Sequence, residues 1–259
     1  TYPFVTDHEK IEDCIDELVD YAEDSIPVLS ETKELLGVIT AQDVVEAVDD
    51  EMGEDYAKLA GLTDEEDLRE TTKESMKKRL PWLIILLFLG MGVSSVVGAF
   101  EAVVAVLPIV MCFQSLILDM AGNVGTQSLA VTIRVLMDEN LTGKQKLHLV
   151  WKEMKVGFVN GLLLGSLAFV FIGIYIACFK HNAWLQAFLI SGCVGVSLMV
   201  AMVISSLVGT LIPIFFHKIK IDPAVASGPL ITTVNDLVAV VTYYGLAWLF
   251  LIQIMQIVS

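Results

Sequence analysis

Positive charge is scarce in this chain: 16 Lys and Arg stand against 31 Asp and Glu, a formal net charge of −15. Such an anion repels phosphate backbones, which excludes nucleic acid as a partner and suits metal cations. Cysteine is scarce as well. Cys14, Cys112, Cys178 and Cys193 form no CxxC pair, and three of the four lie in apolar runs. They read as small buried hydrophobes. No histidine falls inside an apolar run, no Walker-type phosphate loop occurs, and no nucleophile stands beside an activating base. Nothing here suggests an enzyme. Residues 1–25 are acidic and amphipathic, not the basic-then-apolar pattern of a signal peptide. The opening TYPFVTDHEK reads as the continuation of a longer chain.

What the chain has in excess is apolar sequence. Hydrophobic residues make up 55% of it, and the mean hydropathy is +0.70. That is too apolar for an ordinary soluble domain. The charges are sorted: residues 1–70 hold 23 acids and only Lys10, Lys33, Lys58 and Arg69 as bases, whereas residues 81–259 hold seven acids. The expected class is a mainly α membrane protein, with a small N-terminal α/β segment, an acidic linker helix and five transmembrane helices. A span needs about 20 apolar residues. Runs of that length lie at about 81–100, 103–136, 156–179, 184–216 and 224–258, with Glu101 at a tight hairpin between the first two. Lys73, Lys77, Lys78 and Arg79 precede the first span. Arg134, Lys144, Lys146, Lys152 and Lys155 lie between the second and third, and Lys218 and Lys220 between the fourth and fifth. The opposite side has only Lys180. The basic side is expected to be cytoplasmic, with the N-terminus inside and the C-terminus outside.

Ahead of the spans, residues 8–23 carry a helical apolar period, followed by IPVL (26–29), a polar turn, LLGVIT (35–40) and AQDVVEAV (41–48). The order is helix, strand, turn, strand, helix, with Thr40 and Asp43 spaced as a capping box. Plain βα packing accounts for this pattern. Residues 49–80 are highly charged. A helix is expected from Thr63, capped by Thr63 and Glu66, ending at Lys77-Lys78-Arg79 before Pro81. A solvated linker is the bland account of it.

Two acids interrupt the spans, Asp119 in the second and Asp236 in the fifth. A carboxylate there costs about 2.5–3.5 kcal/mol on insertion scales and marks a functional candidate. Asp119 is 15 residues from Arg134, and Asp236 is 14 from Asp222. Both therefore lie roughly 20 Å from the basic side, on helices of opposite direction. Asp119, Gly122 and Asn123 share one face, which Thr126 and Gln127 continue a turn later. The fifth span offers SGPLITTVND (227–236), where Pro229 leaves the Val225 carbonyl free and Thr232, Thr233, Asn235 and Asp236 follow. Glycine exposes carbonyl oxygen and allows close approach. The donor set is all oxygen. It excludes zinc and copper and favours Mg²⁺, with Ca²⁺ and Mn²⁺ behind it. Plain packing of small residues remains open for Gly122 and Gly125, as does a structural hydrogen bond for Asp236.

The segments PIVMCFQSLILDMAGNVGTQSLAV (108–131) and DPAVASGPLITTVND (222–236) resemble the signatures of the MgtE family of magnesium channels and transporters. Residues 1–50 resemble the second half of a CBS pair, with an acidic linker at 51–80 and a membrane domain at 81–259. The resemblance implies a preceding helical domain and first CBS motif, so the chain reads as truncated. It also implies a homodimer in the lipid bilayer, with a pore between subunits lined by the second and fifth spans. In the family the pore ion is held by the fifth-span aspartate, here Asp236. The carbonyls of Gly122 and Thr232 face the hydrated ion, with Asn123 and Asp119 close by. Thr126, Gln127, Thr233 and Asn235 are expected to line the pore; position 126, often Asn in relatives, is Thr here. The linker is the family's plug. Regulatory Mg²⁺ is expected at Asp43, Glu46, Glu51, Glu54 and Asp55, with Asp222 pairing with that cluster. A complete CBS pair could take a nucleotide.

The leading expectation is therefore a Mg²⁺-selective channel closed by cytosolic Mg²⁺. A coupled exchanger such as Na⁺/Mg²⁺ is the alternative within transport. A membrane-anchored sensor is the alternative outside it, and it leaves the matched depth of Asp119 and Asp236 without a purpose.

Overall fold

The computed structural model describes residues 4–9, 25–63, 69–136, 141–180, 182–225 and 228–254. The helix expected over 8–23 and the cap residue Glu66 fall largely or wholly outside them. The N-terminal segment is a three-stranded sheet. β1 (Val5–Thr6) pairs parallel with β2 (Ser25–Leu29), and β2 pairs antiparallel with β3 (Leu35–Thr40), with Ile26 opposite Ile39 and a bulge at Val28/Leu29. Ile26 and Val44 form its small core with Val5, Ile39 and Val48. The strand ends where Thr40 caps α1 (Ala41–Leu59). Thr40 accepts from the Asp43 amide, and the Asp43 carboxylate accepts in return from the Thr40 amide and hydroxyl, both at 2.7 Å. These hydrogen bonds hold the Asp43 carboxyl below the usual carboxylate range, the Thr40 hydroxyl first and its backbone amide second.

The helix expected from Thr63 instead starts at Thr72. Here Thr71 and Glu74 form the capping box, and the Thr63 amide and hydroxyl both donate to the Lys78 carbonyl. This helix, α2 (Thr72–Ala99), does not stop before Pro81 but runs through it into the first apolar run. A proline costs one backbone bond and crowds the preceding turn, and a long apolar helix tolerates it. The expected boundaries at 50/51 and 80/81 thus fall inside continuous helices.

Among the described residues, five helices are long and apolar enough to cross a membrane: Thr72–Ala99, Pro108–Leu136, Gly143–Phe179, Trp184–Lys218 and Gly228–Gln253. The second begins later than expected. A short helix, α3 (Glu101–Val106), precedes it, and a single 3₁₀ turn, Pro108–Val110, leads into α4 (Met111–Leu136). Pro108 disfavours the helical conformation in the residue before it, and Leu107 is non-helical at φ −135° and ψ 74°. The third begins earlier than expected. α5 (Gly143–Phe179) starts at a Thr142–Gln145 capping box and runs 37 residues, roughly 55 Å. α6 (Trp184–Lys218) and α7 (Gly228–Leu246) follow, and the last helix continues as π-helix over Ala247–Ile254.

α5 and α6 make the tightest pair. A Cβ at Gly157 would stand 2.9 Å from Ser206 Cβ, one at Gly161 2.9 Å from Met199 Cα, and one at Gly165 2.6 Å from the Gly195 carbonyl oxygen. Small residues spaced by four let the two backbones meet, which is how helices associate where there is no water to expel. The main core lies between α4, α6 and α7, around Ile117, Ala121, Val194, Leu198, Ala201, Ala239 and Tyr244. α2 has no buried residue along its length.

Candidate functional site

α4 and α7 run antiparallel. Tyr243 donates its hydroxyl proton to the Val110 carbonyl at 2.7 Å, and Tyr244 donates to Gln114 Oε1 at 2.5 Å. Farther along, Thr232 packs against Gly122, where a Cβ would stand 3.2 Å from its Cγ2. Ile231 joins Leu129 and Ile133 in a small apolar cluster. In this register Asp119 falls level with Asp236, one helical turn from the Gly122–Thr232 contact.

α4 has two faces. Ala121, Gly125, Ser128, Leu129 and Thr132 are buried against the other helices, while Ser115, Asp119, Asn123, Thr126 and Gln127 are exposed. The exposed side is polar in a helix meant for hydrocarbon. Asn123 Nδ2 donates to the Asp119 carbonyl at 2.9 Å and to its carboxylate at 3.1 Å. Its amide oxygen stays available. On α7, Thr232, Thr233 and Asp236 are half-buried, and Thr232 and Thr233 turn their hydroxyls back onto the Gly228 and Pro229 carbonyls.

Two expectations need correction. First, the glycines of AGNVGTQ, expected to expose carbonyl oxygen, both lie inside one continuous helix. The Gly122 carbonyl accepts from the Thr126 hydroxyl at 2.9 Å. Gly125 is a packing glycine. Its carbonyl abuts Gly209 of α6, and a Cβ on it would overlap the Asn235 amide. Second, Pro229 does not break α7 but stands in its first turn, where no N–H is needed. Val225 belongs to the separate 3₁₀ turn Pro223–Val225 ahead of the helix. Asn235, expected to line a pore between subunits, faces the neighbouring helices within this chain. It is fully buried, and among the described residues neither its Oδ1 nor its Nδ2 has a hydrogen-bond partner.

Among the described residues no three of His, Cys, Asp and Glu come together as a metal site. Asp43 is engaged as the helix cap, and Glu46 is exposed nearby. Glu54 lies 11 residues beyond Asp43, about 16 Å along α1. The side chains of Glu51 and Asp55 lie outside the described set. Asp222 does meet α1, but through a lysine. Lys58 Nζ stands 2.9 Å from Asp222 Oδ2 and 3.5 Å from Glu54 Oε2. Asp222 Oδ1 accepts from the Ala224 amide at 2.8 Å, which orients it. The sequence reading counted Lys58 only as one of four bases. Its spacing of four from Glu54 was the available signal.

The same contact seats the end of α1 on the start of α7. Leu59 packs on the cluster of Leu129, Ile133 and Ile231, and a Cβ on Gly228 would stand 3.2 Å from the Leu59 carbonyl oxygen. Gly61 follows at φ +80°, pressed against Trp82 with Pro229 beside it. Only glycine adopts that backbone freely, and a side chain there would strike the indole.

Residues 114–246 match the family model described as MgtE, divalent cation transporter, and residues 1–50 match a CBS domain. The chain is 38% identical over 240 residues to a protein of Enterococcus faecalis named magnesium transporter MgtE, across 93% of this chain and 51% of the relative. A protein of the same name from Bacillus subtilis is 38% identical over 229 residues, covering 88% and 48%. Another, from Thermus thermophilus, is 32% identical over 238 residues, covering 90% and 50%. The chain spans about half the length of the curated relatives it matches. The matched segment takes in α4 to α7 and with them every polar break in the spans: this chain belongs to the MgtE family of divalent cation transporters.

Proposed function

We propose that this chain moves Mg²⁺ across a membrane along the polar faces of α4 and α7. One observation carries the reading: a carboxylate on each of two packed apolar helices, Asp119 and Asp236, at one level, beside an exposed row of amides and hydroxyls. The relatives' name gives the ion, and the all-oxygen donors agree with it. An inside-negative potential favours entry of a divalent cation by about 4.6 kcal/mol per 100 mV, so no coupled ion is required. A second copy about a two-fold axis would face the polar side of α4 with its equivalent and double the carboxylates beside one path. The N-terminal segment then lies in the cytosol and the C-terminus outside, in keeping with the basic residues at one end of the spans. Cytosolic Mg²⁺ would strengthen the seat of α1 on α7, adding to a contact that Lys58 already makes.

Purified chain in proteoliposomes, with a Mg²⁺-sensitive dye inside and an imposed inside-negative potential, tests this. Mg²⁺ influx is expected from the wild type and lost in Asp236→Asn, which keeps the volume and removes the charge. Near-normal influx from well-folded Asp236→Asn protein would defeat the site and move attention to Asp119. Influx that depends on Na⁺ inside the vesicles would replace the channel with an exchanger.

A further inference from the structure

Outside the α4–α7 pair the structure holds a buried carboxylate. Glu153 of α5 is 6% exposed and makes no ion pair among the described residues. Its Oε2 accepts from the Ser128 hydroxyl of α4 at 3.0 Å, and its main-chain oxygen accepts from the Ser206 hydroxyl of α6 at 2.8 Å. The two serine oxygens are 2.9 Å apart, and both residues are buried. One turn on, Thr132 and Thr210 return their hydroxyls to the carbonyls of Ser128 and Ser206 at 2.7 and 2.9 Å. Three helices thus meet at one polar junction in otherwise apolar surroundings.

Burying a carboxylate without a countercharge is costly, and the α5–α6 pair does not need it, since the Gly157, Gly161 and Gly165 seam already holds those helices. What the junction adds is α4. Contact between α4 and α5 is slight otherwise, whereas α4 packs broadly on α6 and α7. Ser128 lies on the buried face of α4, opposite the exposed Asp119 and Thr126. A hydrogen bond there fixes the rotation of α4 about its axis, and rotation decides which oxygens meet an ion.

We propose that Glu153 is a positioning residue for ion passage: with Ser128 and Ser206 it sets the rotation of α4 and thereby the oxygens presented by Asp119, Asn123 and Thr126. The inference rests on the transport reading above. The sequence reading passed Glu153 over because it lies just ahead of the apolar run that starts at 156.

The test uses the full chain in the same proteoliposomes, measuring the KM for Mg²⁺ and the discrimination against Ca²⁺. Glu153→Ala and Ser128→Ala should each shift one of these about tenfold, the worth of roughly one hydrogen bond at 1.4 kcal/mol per decade. Glu153→Gln, which keeps an acceptor of the same shape, should restore wild-type values. Phe169→Ala is the packing control. It removes the edge contact with Phe188 between α5 and α6, at 5.2 Å between ring centroids. It should lower thermal stability and leave KM and discrimination alone. If Glu153→Ala does not fold, Ser128→Ala decides. Wild-type KM and discrimination in Ser128→Ala, or in folded Glu153→Ala, overturn the inference while the transport reading stands. No flux from the wild type removes both.

Discussion

One methyl group added at Gly125 should loosen the whole helix pair. Gly125 is wedged between two neighbours: its carbonyl abuts Gly209 of α6, and its α-carbon faces Asn235 of α7. An alanine Cβ would overlap the Asn235 amide, lie 2.9 Å from Asn235 Cγ and 3.3 Å from Ile231 Cγ2. Asn235 is fully buried and has no room to swing. Overpacking of this kind costs about 1–3 kcal/mol, partly offset by up to about 1 kcal/mol from the better helix former. The expected net loss for Gly125→Ala is about 1–2 kcal/mol. Asn235→Ala removes an amide that has no partner among the described residues, so the relief of a desolvated group, about 1–3 kcal/mol, works against the cavity left behind. The double variant then places the new methyl in the space the amide vacated. It should be at least about 1 kcal/mol more stable than the sum of the two single effects predicts, a coupling of the size seen for residues in contact. Gly122→Ala is the internal standard: its Cβ would stand 3.2 Å from Thr232 Cγ2, and a shift of a few tenths of an ångström accommodates it. The assay is reversible unfolding in mixed micelles, followed by tryptophan fluorescence. If the Gly125→Ala and Asn235→Ala effects simply add, within about 0.5 kcal/mol, the packing argument is wrong.

Two further outcomes follow from the N-terminal segment. Lys58→Met removes the ammonium between Glu54 and Asp222 and should raise protease cleavage around residues 60–70 in the absence of divalent cations, with Mg²⁺ now needed to restore protection; unchanged cleavage would make that ion pair incidental. Because the Thr40 hydroxyl and amide hold the Asp43 carboxyl below the ordinary carboxylate range when folded, its contribution to α1 is present above that ordinary range and is lost as pH falls through the lowered value. Circular dichroism should show that acid loss of helix in the wild type and a smaller one in Asp43→Asn.

The membrane part of this fold was legible because hydropathy reads the apolar runs directly, and because a carboxylate in such a run has few ordinary explanations. Helix ends were less legible. α5 begins at Gly143 rather than near 156, since the turns outside the membrane carry Lys144, Lys146, Lys152 and Lys155 and give no apolar signal. α2 passes Pro81 because tertiary and membrane context outweighs a local breaker. The roles of Gly125 and Glu153 depend on partners at Gly209, Asn235, Ser128 and Ser206, 25 or more residues away, so no local spacing could assign them. Lys58 and Asp222 are 164 residues apart. Each alone looks like a surface charge.

The first span has a mechanical consequence. α2 is one rod of 28 residues, about 42 Å long, with a charged tail and an apolar shaft, and no residue along it is buried among the described residues. Its inclination is therefore set in large part by the lipid around it: a thin bilayer tips such a rod, and a thick one stands it upright. The rod also grips the loop after α1, through the Lys78 carbonyl that receives Thr63 and the Trp82 ring that lies on Gly61. Tipping the shaft drags that loop across the start of α7. On the transport reading proposed above, membrane thickness would then bear on the seat of α1 against α7. Mg²⁺ influx into vesicles of short and long acyl chains should differ for the wild type, and should differ less when Trp82→Ala frees the loop from the rod.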